Sequence, residues 1–240
     1  EKAVEHALST VPKTFKWVGR DDAMSLNIGN DQDVAIPGPV GPINVQTMGE
    51  EARRGTLQDV RDLLKIYQQS KVVNAVSNQI VDPADIPERE KPLRMQYEIF
   101  KNATKPVCSG LWDYKRIKEV LDLTEIAYGC KGNMKDQVYM CSISSALSPL
   151  AWGHTCLDSL IAFCQRGQHV GLSTASMTGV NAPVRPYGAL VSQNAEIISG
   201  VVLTQLINPG NSISYGSGAT MGYLKKAKYS CSSPTRLFLQ

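Results

Sequence analysis

Apolar positions recur along this chain in two rhythms. Five short runs read as strands: KVVNAV near Val73, KPVCS near Val107, VYMCSI near Met140, HVGLS near Val170 and SISY near Ile213. Their centres lie 34, 33, 30 and 43 residues apart. Between them the spacing changes to three and four. Leu57, Val60, Leu63, Leu64 and Tyr67 fall on one helical face, opened by Thr56 with Asp59 as its capping-box partner. Ile117, Val120, Leu121 and Tyr128 form a second face that stops at Gly129, and Leu157, Leu160, Ile161 and Cys164 a third that stops at Gly167. Glycine there accepts the left-handed backbone that ends a helix. A long apolar helix lies within residues 181 to 216, fenced by proline and glycine, and the first residues, EKAVEHALSTVPK, read as an amphipathic helix entering a loop.

Strands alternating with helices at this interval predict parallel βα units. The candidates are an open doubly wound sheet and a TIM (β/α)8 barrel. The glycines of YGSGATMG have the wrong spacing for G-x-G-x-x-G, and no G-K-[ST] loop exists, which favours the barrel. Eight strands are needed and five are clear, so the barrel is expected to be incomplete and the chain a fragment. The extended segment from Val34 to Val45 is a candidate for one more strand. The division read is one domain over 1–240, with a helix and extended insert in 1–50 and βα units in 56–240.

Composition narrows the partners. The chain has 240 residues, 42% of them hydrophobic, enough for a sizeable core, and a net charge of +3 from 25 basic and 22 acidic residues. No basic run appears, which argues against nucleic acid. Polar residues interrupt every apolar stretch before the ~18 positions of a bilayer span, so no membrane segment is expected. The six cysteines form no C-x-x-C pair. They read as reduced thiols of a cytoplasmic protein, without disulfide or metal site.

In a βα barrel, ligands meet the loops at the C-terminal strand ends. That rule selects Asn78 to Asp82, Gly110 to Tyr114, Ser144 to His154, Thr174 to Tyr187 and Tyr215 to Thr220. Trp112, Tyr114, Trp152 and Tyr215 bring aromatic faces, Asn181 and Ser217 neutral hydrogen bonders, and His154 and Arg185 anchors for an anion. Each has an ordinary role beside it. The tryptophans suit rim packing, Asp113 a helix N-cap, His154 and Arg185 a solvated surface, and Asn194 and Glu196 a structural polar network. The chain shows no nucleophile–His–acid set and no H-E-x-x-H, and none of these loops holds a carboxylate pair. Neutral aromatic loops suit a quaternary ammonium held by cation–π attraction.

From Ser148 to Pro234 the chain resembles the trimethylamine:corrinoid methyltransferase superfamily. The resemblance rests on Ser148-Pro149-Leu150, Gly179 to Pro183, Gly188-Ala189-Leu190-Val191, Asn194-Ala195-Glu196, Gln205-Leu206, Pro209-Gly210 and Tyr215-Gly216-Ser217. Upstream, Pro12-Lys13-Thr14-Phe15, Gly19-Arg20-Asp21 and Lys105-Pro106 fit the same pattern. The resemblance implies a TIM barrel moving a methyl group from a methylated amine to Co(I) of a corrinoid (cobalamin) carried by a small partner protein. It implies members about twice this length, with pyrrolysine in the methylamine-specific branch at a position beyond Gln240. The insert IPGPVGPINVQ resembles the non-pyrrolysine, glycine-betaine-type branch. The implied function is thus a glycine-betaine-type methyltransferase, expected as a homo-oligomer. Loops Ser144 to His154 and Thr174 to Tyr187 would meet the corrinoid protein. The alternatives are a trimethylamine enzyme of the pyrrolysine type and a non-catalytic betaine-binding barrel.

Overall fold

Five strands run side by side: β1 (Val76–Ser77), β2 (Val107–Ser109), β3 (Met140–Leu147), β4 (His169–Thr174) and β5 (Ile213–Tyr215). The computed structural model describes residues 1–29, 31–130, 132–223 and 228–230. All neighbouring pairs among the five are parallel, in sheet order β5-β4-β3-β2-β1. Each step in that order crosses over through a helix: α3 (Lys91–Asn102), α4 (Tyr114–Tyr128), α5 (His154–Gln165) and α6 (Pro186–Ile207). Two more, α1 (Lys2–Thr10) and α2 (Leu57–Gln69), precede β1.

Strands that follow one another in space as in sequence, joined by right-handed crossovers, keep their helices on one face. The main core lies there, where Val76, Val107, Met140, Val170 and Leu172 meet Leu64, Ile99, Ile117, Leu121, Leu160 and Ile197. A doubly wound sheet would reverse direction and split its helices between two faces. This sheet does neither. Among the described residues β1 and β5 end the ladder, so the structure is an α/β layer with a parallel sheet and no closed barrel. On the other face, an antiparallel hairpin of Phe15–Trp17 and Leu26–Ile28 packs on Ala75, Cys108 and Cys141.

Local chemistry explains where elements begin and end. Thr56 and Asp59 form the expected capping box at α2, Asp113 caps α4 by accepting from Arg116 N, and Gly129 ends α4 at φ +67. The strand expected near Val73 starts three residues later. Val72 N and Val73 N donate to Ser70 Oγ, and Lys105 Nζ takes the carbonyls of Tyr67, Ser70 and Val73, so this run is committed to a turn. The segment from Val34 to Val45 adds no full strand. It makes one parallel bridge, Pro37 to Ala75, before Asn44–Val45 pairs antiparallel with Arg53–Arg54. Pro37, Pro39 and Pro42 lack the N–H groups a ladder requires.

The expectation that no segment has the character of a bilayer span is corrected by α6. Its 22 residues are long and apolar enough by length and composition. Its buried side, however, carries Gln193, Glu196, Thr204 and Gln205, all hydrogen-bonded within the protein, while Tyr187, Val191 and Leu206 stand exposed. That buried side packs against the sheet and α1.

Candidate functional site

Asn78, at the end of β1, ties three elements together. Its Nδ2 donates to Gln96 Oε1 of α3 at 2.9 Å and to Ser109 Oγ at 3.3 Å, and its Oδ1 accepts from Gly110 N at 2.6 Å. An added Cβ at Gly110 would stand 2.0 Å from Cδ of Gln79, so that side chain would have to shift to admit one. The Gln79 amide therefore lies against the β2 end.

Trp112 and Tyr114 are both fastened to α5. Trp112 N donates to Ser159 Oγ at 3.2 Å, and that hydroxyl donates back to the Trp112 carbonyl at 3.0 Å. The Trp112 indole Nε1 is buried and has no hydrogen-bond partner. Tyr114 N donates to Asp158 Oδ2 at 3.1 Å, and its hydroxyl to Gln165 Oε1 at 2.6 Å. His154, the first residue of α5, keeps Nδ1 3.4 Å from the same Asp158 oxygen, with a side chain 90% exposed. Trp152 turns to α6, donating from Nε1 to Ser199 Oγ at 3.0 Å. Its ring lies over Gly200, where an added Cβ would sit 2.8 Å from Cζ2.

The remaining candidates surround the start of α6. Asn181 shapes its own turn, with Oδ1 accepting from Met177 N at 2.5 Å and Nδ2 donating to the Ala175 carbonyl at 3.3 Å. Arg185 stands exposed at the N-cap of α6. Tyr215 donates its hydroxyl to Asn194 Oδ1 at 3.2 Å, and Ser217 donates to Gln193 Oε1 at 2.9 Å. Glu196 holds the Ser148–Leu150 loop by accepting from Ser148 Oγ and Leu150 N, so the ordinary reading of that residue stands. All eight candidates lie at strand C-terminal ends, but in separate groups on α4–α5 and α6. Among the described residues the ring contacts are Phe15–His169, Phe100–Tyr128 and Tyr128–Tyr139, and none joins Trp112, Trp152 and Tyr215.

The free face of the sheet was not singled out from sequence. Alternation along β3 and β4 turns Cys141, Ile143, Ser145, Leu147, His169, Gly171 and Ser173 to that side, beside Cys108 and Ser214. The period-two pattern of VYMCSISSAL was the signal that could have found it. The face is neutral. His169 is buried, stacked on Phe15 at 4.3 Å, with Nδ1 and Nε2 at 3.2 and 3.1 Å from the hydroxyls of Ser212 and Ser214. Burial lowers its imidazole to about 3 and raises the Cys108 thiol to about 12, with Cys141 shifted the same way. Cys108, Cys130, Cys141, Cys156 and Cys164 are free thiols, and Cys231 lies outside the described residues. The upper part opens outward, with Ile143 48% and Leu147 56% exposed.

A consecutive parallel βα sheet with its candidate site at the C-terminal strand ends is the class that fold and geometry define. Within it, the family described as Trimethylamine methyltransferase (MTTB) matches residues 1–226, and the chain belongs to that family. It is similar to the Glycine betaine methyltransferase of Desulfitobacterium hafniense (strain Y51), 30% identical over 231 residues that cover 96% of this chain and 48% of the relative. The Proline betaine:corrinoid methyltransferase of Eubacterium limosum is 28% identical over 248 residues, 100% of this chain and 50% of its own. The Trimethylamine methyltransferase MttB of Desulfitobacterium hafniense (strain DSM 10664 / DCB-2) is 25% identical over 232 residues, covering 96% and 46%. Among solved structures, the Methanosarcina barkeri monomethylamine methyltransferase MtmB aligns at a TM-score of 0.50 and 13% identity, covering 91% of this chain and 46% of that one. The chain spans about half the length of the curated relatives it matches.

Proposed function

We propose that this chain forms one domain within a (β/α)8 barrel enzyme. It would transfer a methyl group from a quaternary amine such as glycine betaine to a corrinoid carried by a separate cytoplasmic protein. The observation that carries this reading is the 30% identity to a protein named for glycine betaine, sustained over 96% of the chain. The consecutive parallel sheet supports the barrel reading, since a (β/α)8 barrel sets its strands side by side in sequence order.

The corrinoid supplies the nucleophile, Co(I), so the protein has to bind, orient and exclude water. The residues here fit that task. A methylated ammonium leaves as a neutral tertiary amine and needs no proton from the protein. The free sheet face offers hydroxyls, thiols and apolar groups, and its one imidazole is held neutral by burial. Leu147, Leu150, Val180, Val184 and Tyr187 are exposed around the strand-end loops, giving an apolar surface on which the corrinoid protein would seat.

Trp112, Trp152 and Tyr215 are the aromatic faces assigned to the amine, with Tyr114, Asn181 and Ser217 at the rim and His154 or Arg185 available to a carboxylate. Replacing Trp112, Trp152 or Tyr215 with Ala is expected to cost about 1–2 kcal/mol in transfer at limiting substrate for each ring that touches the cation. Unchanged turnover in all three variants would remove these rings from the binding site.

A further inference from the structure

The chain leaves β3 as a tight hairpin. Ala151–Trp152 folds back antiparallel on the strand, with Ala146 opposite Trp152 and Leu147 opposite Ala151, so Ser148 to Leu150 form the tip. There Leu150 takes a φ of +54, the left-handed region where a side chain crowds its own backbone and glycine is the usual residue. Its side chain is 71% exposed, so burial does not repay the strained backbone. One face of α6 holds the tip in place. Glu196, itself buried, accepts from Leu150 N at 2.9 Å and from Ser148 Oγ at 2.8 Å. Ser199, three residues on, accepts from Trp152 Nε1, and Gly200 lies under the Trp152 ring. Three positions of one helix thus fix a turn 46 to 48 residues away in sequence. The same helix begins beside Val184 and Tyr187, both exposed, and residues 144–153 carry no charge. Apolar side chains standing this far out from the strand ends suit a protein surface, not a small amine.

We infer that Leu150 is a contact residue for the separate corrinoid protein and that Glu196 is the positioning residue that presents it. The identity of the partner rests on the methyl-transfer reading above. Glu196 acts on the turn and not on the amine. Its loss leaves Leu150 N and Ser148 Oγ without their acceptor, and the tip relaxes out of the left-handed backbone. A glycine at position 150 would suit the turn without strain, so the leucine is kept there for what its side chain meets.

The test measures binding apart from turnover. The full protein is titrated in a calorimeter with a cobalamin-loaded corrinoid protein from a quaternary-amine methyltransferase system, and each variant is melted by heat in parallel. Leu150→Gly fits the left-handed backbone but lacks the side chain. It is expected to keep or raise the melting temperature and to bind the corrinoid protein about tenfold more weakly. Glu196→Ala is expected to weaken binding by a similar factor alone and to add nothing in the Leu150→Gly background, because it acts through that side chain. Leu150→Gly decides the case by itself should Glu196→Ala fail to fold. An unchanged affinity in Leu150→Gly, a clear fall in its melting temperature, or additive losses in the double variant overturns the inference. Self-association of the protein alone that Leu150→Gly abolishes also overturns it, by assigning the tip to a second copy. Binding as expected by a protein that demethylates no amine would sink the methyl-transfer reading and leave this one standing. Methyl transfer with unchanged binding in Leu150→Gly would do the reverse.

Discussion

At the scale of single residues, His169 joins burial to behaviour most directly. It is enclosed by Phe15, Ser212 and Ser214, beside Cys141 in register, and its imidazole titrates near 3 instead of near 6.5. The folded-state value is depressed for a base. Above 6.5 neither state is protonated at this site and it contributes no pH dependence. Below 6.5 the unfolded chain takes up a proton that the folded chain refuses, so stability falls as the pH drops, until about 3. The slope is about 1.4 kcal/mol per pH unit, or about 2 kcal/mol between pH 6.5 and 5. Denaturant melts of the protein and of His169→Gln across that interval should differ in slope by one proton. Identical slopes would place a titrating, accessible imidazole at this position. Sequence gave no sign of this residue's importance, because a histidine opening a strand is ordinary until its neighbours on β5 and the hairpin are known. The Thr56–Asp59 box and the Asp113 cap were legible, since both partners lie within one helical turn.

Elements were legible where one face is apolar and obscure where the buried face is polar. α2, α4 and α5 announced themselves by spacing, but α3 did not. Its buried side includes Gln96 and Glu98, which reach Asn78 and Arg61 through contacts 18 and 37 residues away. Such long-range pairs leave no periodic trace. The candidate site fared similarly: the loops named from sequence do follow strands, while the grouping of their residues depends on α5 and α6. The loop from Thr174 to Tyr187 illustrates the difference. Ala182 packs against Ala189 and Ala219, whereas Val180 and Val184 are 61% and 70% exposed. A docking role for this loop therefore predicts that Val184→Glu impairs transfer to a corrinoid protein while sparing transfer to free cobalamin. Equal loss with both acceptors would assign Val184 to the amine site, and no loss with either would remove the loop from the docking surface.

For the whole molecule, strand order carries the argument. Five parallel strands in sequence order place every connecting loop that follows a strand at one end of the sheet, and that end holds Trp112, Trp152, Asn181 and Tyr215. The near-balanced charge, 25 basic against 22 acidic residues, gives no strong field to steer a partner, so association with a corrinoid protein should depend weakly on salt. The most direct test of the central claim is to mix the full protein with Co(I) cobalamin and follow the Co(I) absorbance on adding glycine betaine, proline betaine, carnitine or trimethylamine. The account predicts loss of Co(I) with a quaternary amine, in step with its demethylated product, and little or none with trimethylamine. Demethylation of trimethylamine alone, or a Co(I) signal unchanged by every amine, would contradict it.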